Sequence, residues 1–116
     1  MAFERACALD DIQSDKALAV TLGRYDVAIA RDGDEVFAVE DTCSHAEVAL
    51  SEGEVADCQI ECWLHGSMFD LRTGKPTNLP ATEPVATFPI DVRANPDGTS
   101  DVYVDTETTL NGVTPA

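Results

Sequence analysis

The sequence predicts an all-β fold of antiparallel strands joined by short turns. Strand-like apolar runs recur at short intervals along the 116 residues, and glycine, proline, asparagine and aspartate mark the breaks between them. The hydrophobic share of 44% is ordinary for a globular core. A chain of this length with this composition is therefore expected to form one small β domain.

The predicted strands in the first part of the chain are residues 3–9, 17–22, 25–30 and 36–39. Because the last two flank Asp32-Gly33-Asp34, residues 25–39 are predicted to form a hairpin. Residues 10–15 are too polar for a core and should connect strands through one helical turn. Strand character returns at residues 85–93 and 102–104, on either side of the turn at 95–98.

The chain changes character between residues 40 and 84, where only short apolar pieces occur: residues 48–50, 55–56, 59–62 and 68–71. We therefore expect a base of antiparallel strands, a sandwich or barrel, from residues 1–39 and 85–105. Residues 40–84 are expected to be an inserted subdomain, which completes a single domain over residues 1–105. Residues 106–116 are polar, contain glycine and proline, and are predicted to form a flexible tail.

Two short pairs of metal-ligating residues lie in this middle segment: Cys43 with His45, and Cys62 with His65. Each pair supplies one thiolate and one imidazole, and sixteen residues separate His45 from Cys62. Such a set can hold a structural zinc ion, or a [2Fe–2S] cluster with two sulfur and two nitrogen ligands. A zinc module is the less favoured of the two, because zinc fingers usually pair Cys with Cys and carry a helix that this sequence lacks.

The spacing C-x-H-x16-C-x2-H, followed directly by Gly66-Ser67-Met68-Phe69-Asp70, resembles the Rieske family. The resemblance implies the Rieske fold, with its cluster-binding subdomain, and one [2Fe–2S] cluster. One iron would be bound by Cys43 and Cys62, and the other by His45 and His65. In Rieske proteins a proline-bearing loop also covers the cluster, and residues 78–84 occupy the matching place.

The same resemblance predicts a low reduction potential. Val48 and Leu64 stand where high-potential relatives carry a bridging pair of cysteines, and Phe69 replaces a tyrosine that donates toward the cluster. Ser67 retains the serine position. Fewer donors to the sulfurs place the protein in the lower part of the Rieske range, which runs from about −150 to +300 mV.

The sequence argues for an electron carrier and against an enzyme. Both of its histidines are assigned to the cluster, so a mononuclear iron oxygenase site cannot be built. The loop from Cys62 to Lys75 is most similar to the small ferredoxins of bacterial multicomponent aromatic-ring dioxygenases. Such a protein would take single electrons from an NAD(P)H-dependent flavin reductase and pass them to a terminal oxygenase. A ferredoxin of iron–sulfur cluster assembly and the small subunit of nitrite reductase are the alternatives.

The composition limits the choice of partners. Seven basic and 22 acidic residues give a net charge of −15, which excludes nucleic acid and disfavours anionic membrane surfaces. Acidity of this kind suits solubility or steering toward a basic patch on a redox partner. No membrane-spanning run is found in the sequence, so a soluble cytoplasmic protein is expected. We also expect it to be a monomer.

Several residues keep two interpretations at this point. Trp63 could contact a partner or lie flat over its loop. Gly53 and Gly66 are expected to be turn residues, although Gly66 could instead let the backbone approach a sulfide of the cluster. Cys7 and Cys58 are left over from the ligand set and are expected to be small buried thiols.

Overall fold

In the computed structural model, residues 3–23, 25–33, 35–42, 48–64, 66–78 and 82–113 are described. Over these ranges the chain forms β-strands and two short 3₁₀ turns, Leu9–Asp11 and Leu50–Glu52. The strands are β1 (Glu4–Ala8), β2 (Lys16–Leu22), β3 (Tyr25–Asp32), β4 (Glu35–Glu40), β5 (Val55–Ala56), β6 (Gln59–Glu61), β7 (Met68–Asp70), β8 (Thr87–Phe88), β9 (Ile90–Ala94) and β10 (Ser100–Val104). The described residues contain no helix long and apolar enough to span a membrane.

The strands pair into antiparallel sheets with the orders β1-β10-β9, β2-β3-β4-β8 and β5-β6-β7. The first sheet joins the two ends of the chain, and the third is formed by the middle segment. The predicted hairpin is confirmed, because β3 and β4 pair from Asp32 opposite Glu35 to Val27 opposite Glu40. The all-β prediction is confirmed as well.

The predicted strand over residues 85–93 is wrong in one respect, because the structure divides it at Pro89. β8 pairs with β4, where Phe88 lies opposite Ala38, whereas β9 pairs with β10. Proline has no N–H to donate to a ladder, so the residue interrupts pairing in either sheet. The chain therefore passes from one sheet to the other at Pro89.

Strand β3 is buried on both faces. Its residues Val27, Ala28, Ile29 and Ala30 are all fully buried. Because side chains alternate along a strand, Val27 and Ile29 join a core with β1, β8 and β10, and the two alanines join a second core with β5, β6 and β7. This continuous apolar run connects the middle segment to the rest of the fold.

Residues 106–113 form no helix or strand but contact β8 and the turn after β7. The side-chain amide of Asn111 donates to the carbonyl oxygens of Thr73 and Val85, both at 2.8 Å. The main-chain N–H of Leu110 donates to the carbonyl of Thr87 at 2.8 Å. These bonds attach the described part of the predicted tail to β8, to Val85 before it and to the turn after β7. The predicted domain boundaries and the flexibility of the tail stay predictions.

Candidate metal centre

The structure describes one of the four predicted ligands, Cys62. Its side chain is fully buried at the end of β6, and its thiol forms no disulfide. Cys43, His45 and His65 lie outside the described residues. Consequently no group of three metal-ligating side chains is found in the described part of the chain. The complete ligand set stays a prediction.

The second ligand loop, defined as residues 62–68, is closed by main-chain hydrogen bonds. The N–H of Cys62 donates to the carbonyl of Ser67 at 2.7 Å, and the N–H of Gly66 donates to the carbonyl of Cys62 at 2.9 Å. Gly66 has a φ of +78°, which a residue with a side chain rarely adopts. The loop thus turns sharply after His65, as expected if Gly66 is a turn residue.

The closed loop separates its side chains into an inner and an outer set. Cys62 and Ser67 are fully buried, whereas Trp63 and Leu64 are 49% and 42% exposed. Phe69, which follows in β7, is fully buried in the same core cluster as Cys62. A thiolate at Cys62 would therefore be shielded from water on the protein side, while the residues next to His65 face outward.

The first ligand loop, defined as residues 41–51, is closed by the side chain of Asp41. Its carboxylate accepts the main-chain N–H of Ser51 at 2.6 Å and the Ser51 hydroxyl at 2.7 Å. Burial raises the pKa of the Asp41 carboxyl, and the two bonds from Ser51 oppose that shift. Asp41 and Ser51 are ten positions apart, and Cys43 and His45 lie between them in the sequence. The contact therefore joins the two ends of the segment that carries these predicted ligands.

The exit of the first ligand loop lies directly against the entry of the second. An added Cβ on Gly53 would fall 1.7 Å from the carbonyl oxygen of Glu61, so no side chain fits there. Beside this contact, the N–H of Glu61 donates to the carbonyl of Glu54 at 2.9 Å. Because Glu61 precedes Cys62, the fold brings the bases of both predicted ligand loops together. Gly53 ends the 3₁₀ turn, as predicted, but its φ of −85° is open to any residue, so glycine is required there by the close backbone approach.

Trp63 extends from the second loop toward the 3₁₀ turn that follows the first. Its ring N–H donates to the Glu52 carboxylate at 3.1 Å, yet about half of the side chain is exposed. The bond orients the ring and leaves apolar surface available. Val48 stands where high-potential relatives carry one of the two bridging cysteines, and it packs against the core that contains Cys62.

The two remaining cysteines lie in different surroundings. Cys7 is buried in the core beneath β1, and burial raises the pKa of its thiol. Cys58 is only partly buried, in a turn with a φ of +60°, and burial raises the pKa of its thiol too. The main-chain N–H of Cys58 donates to the Asp32 carboxylate at 2.6 Å. Cys58 packs against the core that contains Cys62, whereas Cys7 belongs to the other core.

Sequence reasoning did not identify Asp41 or Ser51, and it included Asn78 only as the first residue of the proline-bearing loop. The Asn78 side chain accepts the N–H of Met68 at 2.6 Å and donates to the carbonyl of Gly66 at 3.1 Å. The only sequence signal was their position beside the ligand motifs. Their bonds join segments at least ten positions apart, so no local pattern could reveal them.

Comparison with known proteins gives the family. Residues 3–89 match the model of the Rieske [2Fe–2S] domain. The chain belongs to this family, and its cofactor is one Rieske-type [2Fe–2S] cluster. The buried side chain of Cys62, which forms no disulfide, and the adjoining bases of the two loops fit that cofactor.

Ferredoxin subunits of dioxygenases are among the similar proteins. The anthranilate 1,2-dioxygenase ferredoxin subunit of Burkholderia cepacia is 45% identical over 85 residues, which span 73% of this chain and 79% of the relative. The ferredoxin component of biphenyl 2,3-dioxygenase from Rhodococcus jostii is 40% identical over 107 residues, spanning 92% and 95%. These similarities confirm the predicted resemblance to dioxygenase ferredoxins.

A solved structure supports the fold as well. A chain of the complex of reduced oxygenase and oxidized ferredoxin in carbazole 1,9a-dioxygenase is 36% identical to this protein. The match covers 88% of this chain and 91% of that one, with a TM-score of 0.74. The predicted Rieske fold is therefore confirmed.

Proposed function

We propose that this protein is the ferredoxin component of an aromatic-ring dioxygenase system. It takes single electrons from an NAD(P)H-dependent flavin reductase and delivers them to a terminal oxygenase. The observation that carries the proposal is the 40–45% identity to ferredoxin subunits of two such systems, over most of their length. The protein itself catalyses no reaction and works as a cytoplasmic monomer in this proposal.

The proposed ligands are Cys43 and Cys62 for one iron, and His45 and His65 for the other. The cluster, when bound, accepts and releases one electron. Cys62 would hold its thiolate in the dry interior, because the side chain is fully buried. His65 directly follows the exposed pair Trp63 and Leu64, so this end of the loop is the approach that a redox partner can use.

The docking surface is proposed to be Trp63 and Leu64 together with the Glu52 carboxylate. Two adjacent apolar side chains, half exposed, offer contact area, and Glu52 places a negative charge at the indole N–H. The net charge of −15 favours a partner whose docking site carries basic residues around an apolar depression. Weak, fast encounters of this kind are typical of electron transfer.

The first experiment is a potentiometric titration of the purified protein, followed by electron paramagnetic resonance (EPR). We expect a reduced-state signal of the mixed histidine and cysteine type, at the low end of the Rieske range. Substituting Cys62→Ser should abolish it. A colourless preparation that contains zinc, or a strongly positive potential, would contradict the proposal.

The second experiment tests the partners. The protein is reduced with NADH and the reductase of the biphenyl or anthranilate dioxygenase, then mixed with the matching oxygenase, and its reoxidation is followed by stopped-flow absorbance. Reoxidation coupled to product formation is the expected result. Reduction without transfer to either oxygenase would favour the iron–sulfur assembly or nitrite reductase alternatives.

Variants at the docking surface make the test specific. Trp63→Ala should slow reoxidation by the oxygenase at low protein concentration, because contact area is lost, and leave the reduction potential unchanged. Trp63→Phe keeps most of that area but loses the bond to Glu52, and should be intermediate. Val92→Ala is the control, since Val92 is a similarly exposed apolar residue, at 44%, on β9 and away from the second ligand loop in sequence. An equal effect of the control would contradict the proposed surface.

A further inference from the structure

Asn78 links the second ligand loop to the proline-bearing segment that follows it. Its carbonyl oxygen accepts the main-chain N–H of Met68 at 2.6 Å, and its NH₂ group donates to the carbonyl of Gly66 at 3.1 Å. One side-chain amide thus holds two peptide groups on either side of Ser67. Both bonds are made to the part of the loop directly after His65.

The neighbouring residue continues the same pairing. The main-chain N–H of Thr77 donates to the carbonyl of Met68 at 2.8 Å, and its hydroxyl donates to the Gln59 side chain at 3.0 Å. Residues 76–78 therefore lie beside β7 and extend its edge, as the bridge between Phe69 and Pro76 also shows. Asn78 completes this pairing at the point where the chain leaves for residues 79–81.

Two sets of bonds hold the backbone after His65, and they bond different peptide groups. The main-chain bonds of Cys62 tie the start of the loop to the N–H of Gly66 and the carbonyl of Ser67. The Asn78 side chain adds bonds to the carbonyl of Gly66 and to the N–H of Met68. Without this side chain, the backbone after His65 would lose two constraints and gain conformational freedom.

We propose that Asn78 is a positioning residue for the cluster, acting through the backbone that carries His65. An amide is required, because one group must accept from Met68 and another must donate to Gly66. An aspartate would keep the acceptor but set a carboxylate oxygen against the Gly66 carbonyl. The inference depends on the proposed ligand His65, but on neither of the proposed redox partners.

The test compares three variants of the protein with its cluster bound. Asn78→Ala removes both bonds, and Asn78→Asp keeps one and adds a charge. Asn95→Ala is the matched control, because Asn95 also makes two side-chain bonds, to Thr99 and Asp101, in the turn between β9 and β10. For each variant we would measure the EPR line shape of the reduced cluster, the reduction potential and the rate of bleaching by an iron chelator.

We expect Asn78→Ala to broaden the EPR lines and to speed bleaching several-fold, because the ligand backbone samples more conformations. Asn78→Asp should broaden the lines less and lower the potential, since the added negative charge disfavours the reduced state. Asn95→Ala should match the wild type in all three measurements, even if it lowers the melting temperature as much as Asn78→Ala does.

Two results would overturn the inference. One is a wild-type line shape and bleaching rate in both Asn78 variants, and the other is an equal change in Asn95→Ala. If Asn78→Ala fails to fold, the Asn78→Asp variant, which has the same size as the wild-type residue, decides the question. Failure of the electron-transfer proposal would leave these measurements intact, because no reductase or oxygenase is present.

Discussion

The link between Asp41 and Ser51 gives the sharpest prediction for stability. The partly buried carboxylate accepts two hydrogen bonds from one residue, at 2.6 and 2.7 Å, and thereby joins the ends of the first ligand loop. The perturbations are Asp41→Ala, Asp41→Asn, Ser51→Ala and the double variant Asp41→Ala/Ser51→Ala.

The magnitude follows from what each substitution removes. Asp41→Ala loses both bonds but also removes a carboxylate whose burial is unfavourable, so we expect a cost of about 2 kcal/mol. Ser51→Ala loses only the hydroxyl bond, at about 1 kcal/mol. Asp41→Asn can accept from the Ser51 N–H and donate to its hydroxyl, so its cost should stay below about 1 kcal/mol.

The assay is thermal and urea unfolding of the protein with its cluster bound, combined in a double-mutant cycle. A cost of 2 kcal/mol corresponds to a fall of roughly 8 °C in the melting temperature of a domain of this size. In the Asp41→Ala background, Ser51→Ala should cost almost nothing, which gives a coupling energy of about 1 kcal/mol. The reasoning is refuted if Ser51→Ala costs the same in both backgrounds.

The other predictions concern the loop contact, acid stability and the reduction potential. Gly53→Ala should destabilise the protein by about 3 kcal/mol in urea unfolding, because its Cβ would fall 1.7 Å from the Glu61 oxygen and backbone must move; a wild-type midpoint would show that the contact is loose. The bond from Arg5 is the main reason that the pKa of Asp101 lies below its ordinary value of 3.8, so its contribution is present above that pH and lost as the pH falls through the lowered pKa. Asp101→Asn should therefore lower the melting temperature at pH 6, and this effect should shrink as the pH is lowered below 3.8. An effect that does not change with pH would contradict the ion pair. Phe69→Tyr should raise the reduction potential by adding a donor in the buried core beside Cys62, and an unchanged titration would show that the hydroxyl does not reach the sulfur.

The sequence alone was enough for the family, the cofactor and the type of fold. The ligand motif and the residues after His65 carry the Rieske resemblance, which the family comparison confirms over residues 3–89. The hairpin of β3 and β4 was also predictable, because apolar alternation and turn residues are local properties of the chain. The division of the predicted strand 85–93 was also visible in the sequence as Pro89, which separates β8 from β9, but the strand prediction did not use it.

Only the tertiary structure decided how the ligand loops are supported. Asp41 reaches Ser51, Gly53 packs on Glu61, and Asn78 holds the backbone around Ser67. Each contact joins segments that are separated along the chain. Aspartate, glycine and asparagine are common in turns of every kind, so their presence in the sequence does not reveal which distant residue they will contact. Such partners are set by tertiary packing, and the pairing of β5 with β6 brings the bases of the two loops together. The sequence therefore predicts which residues bind the cluster, and the fold shows which residues support the bases of the two loops.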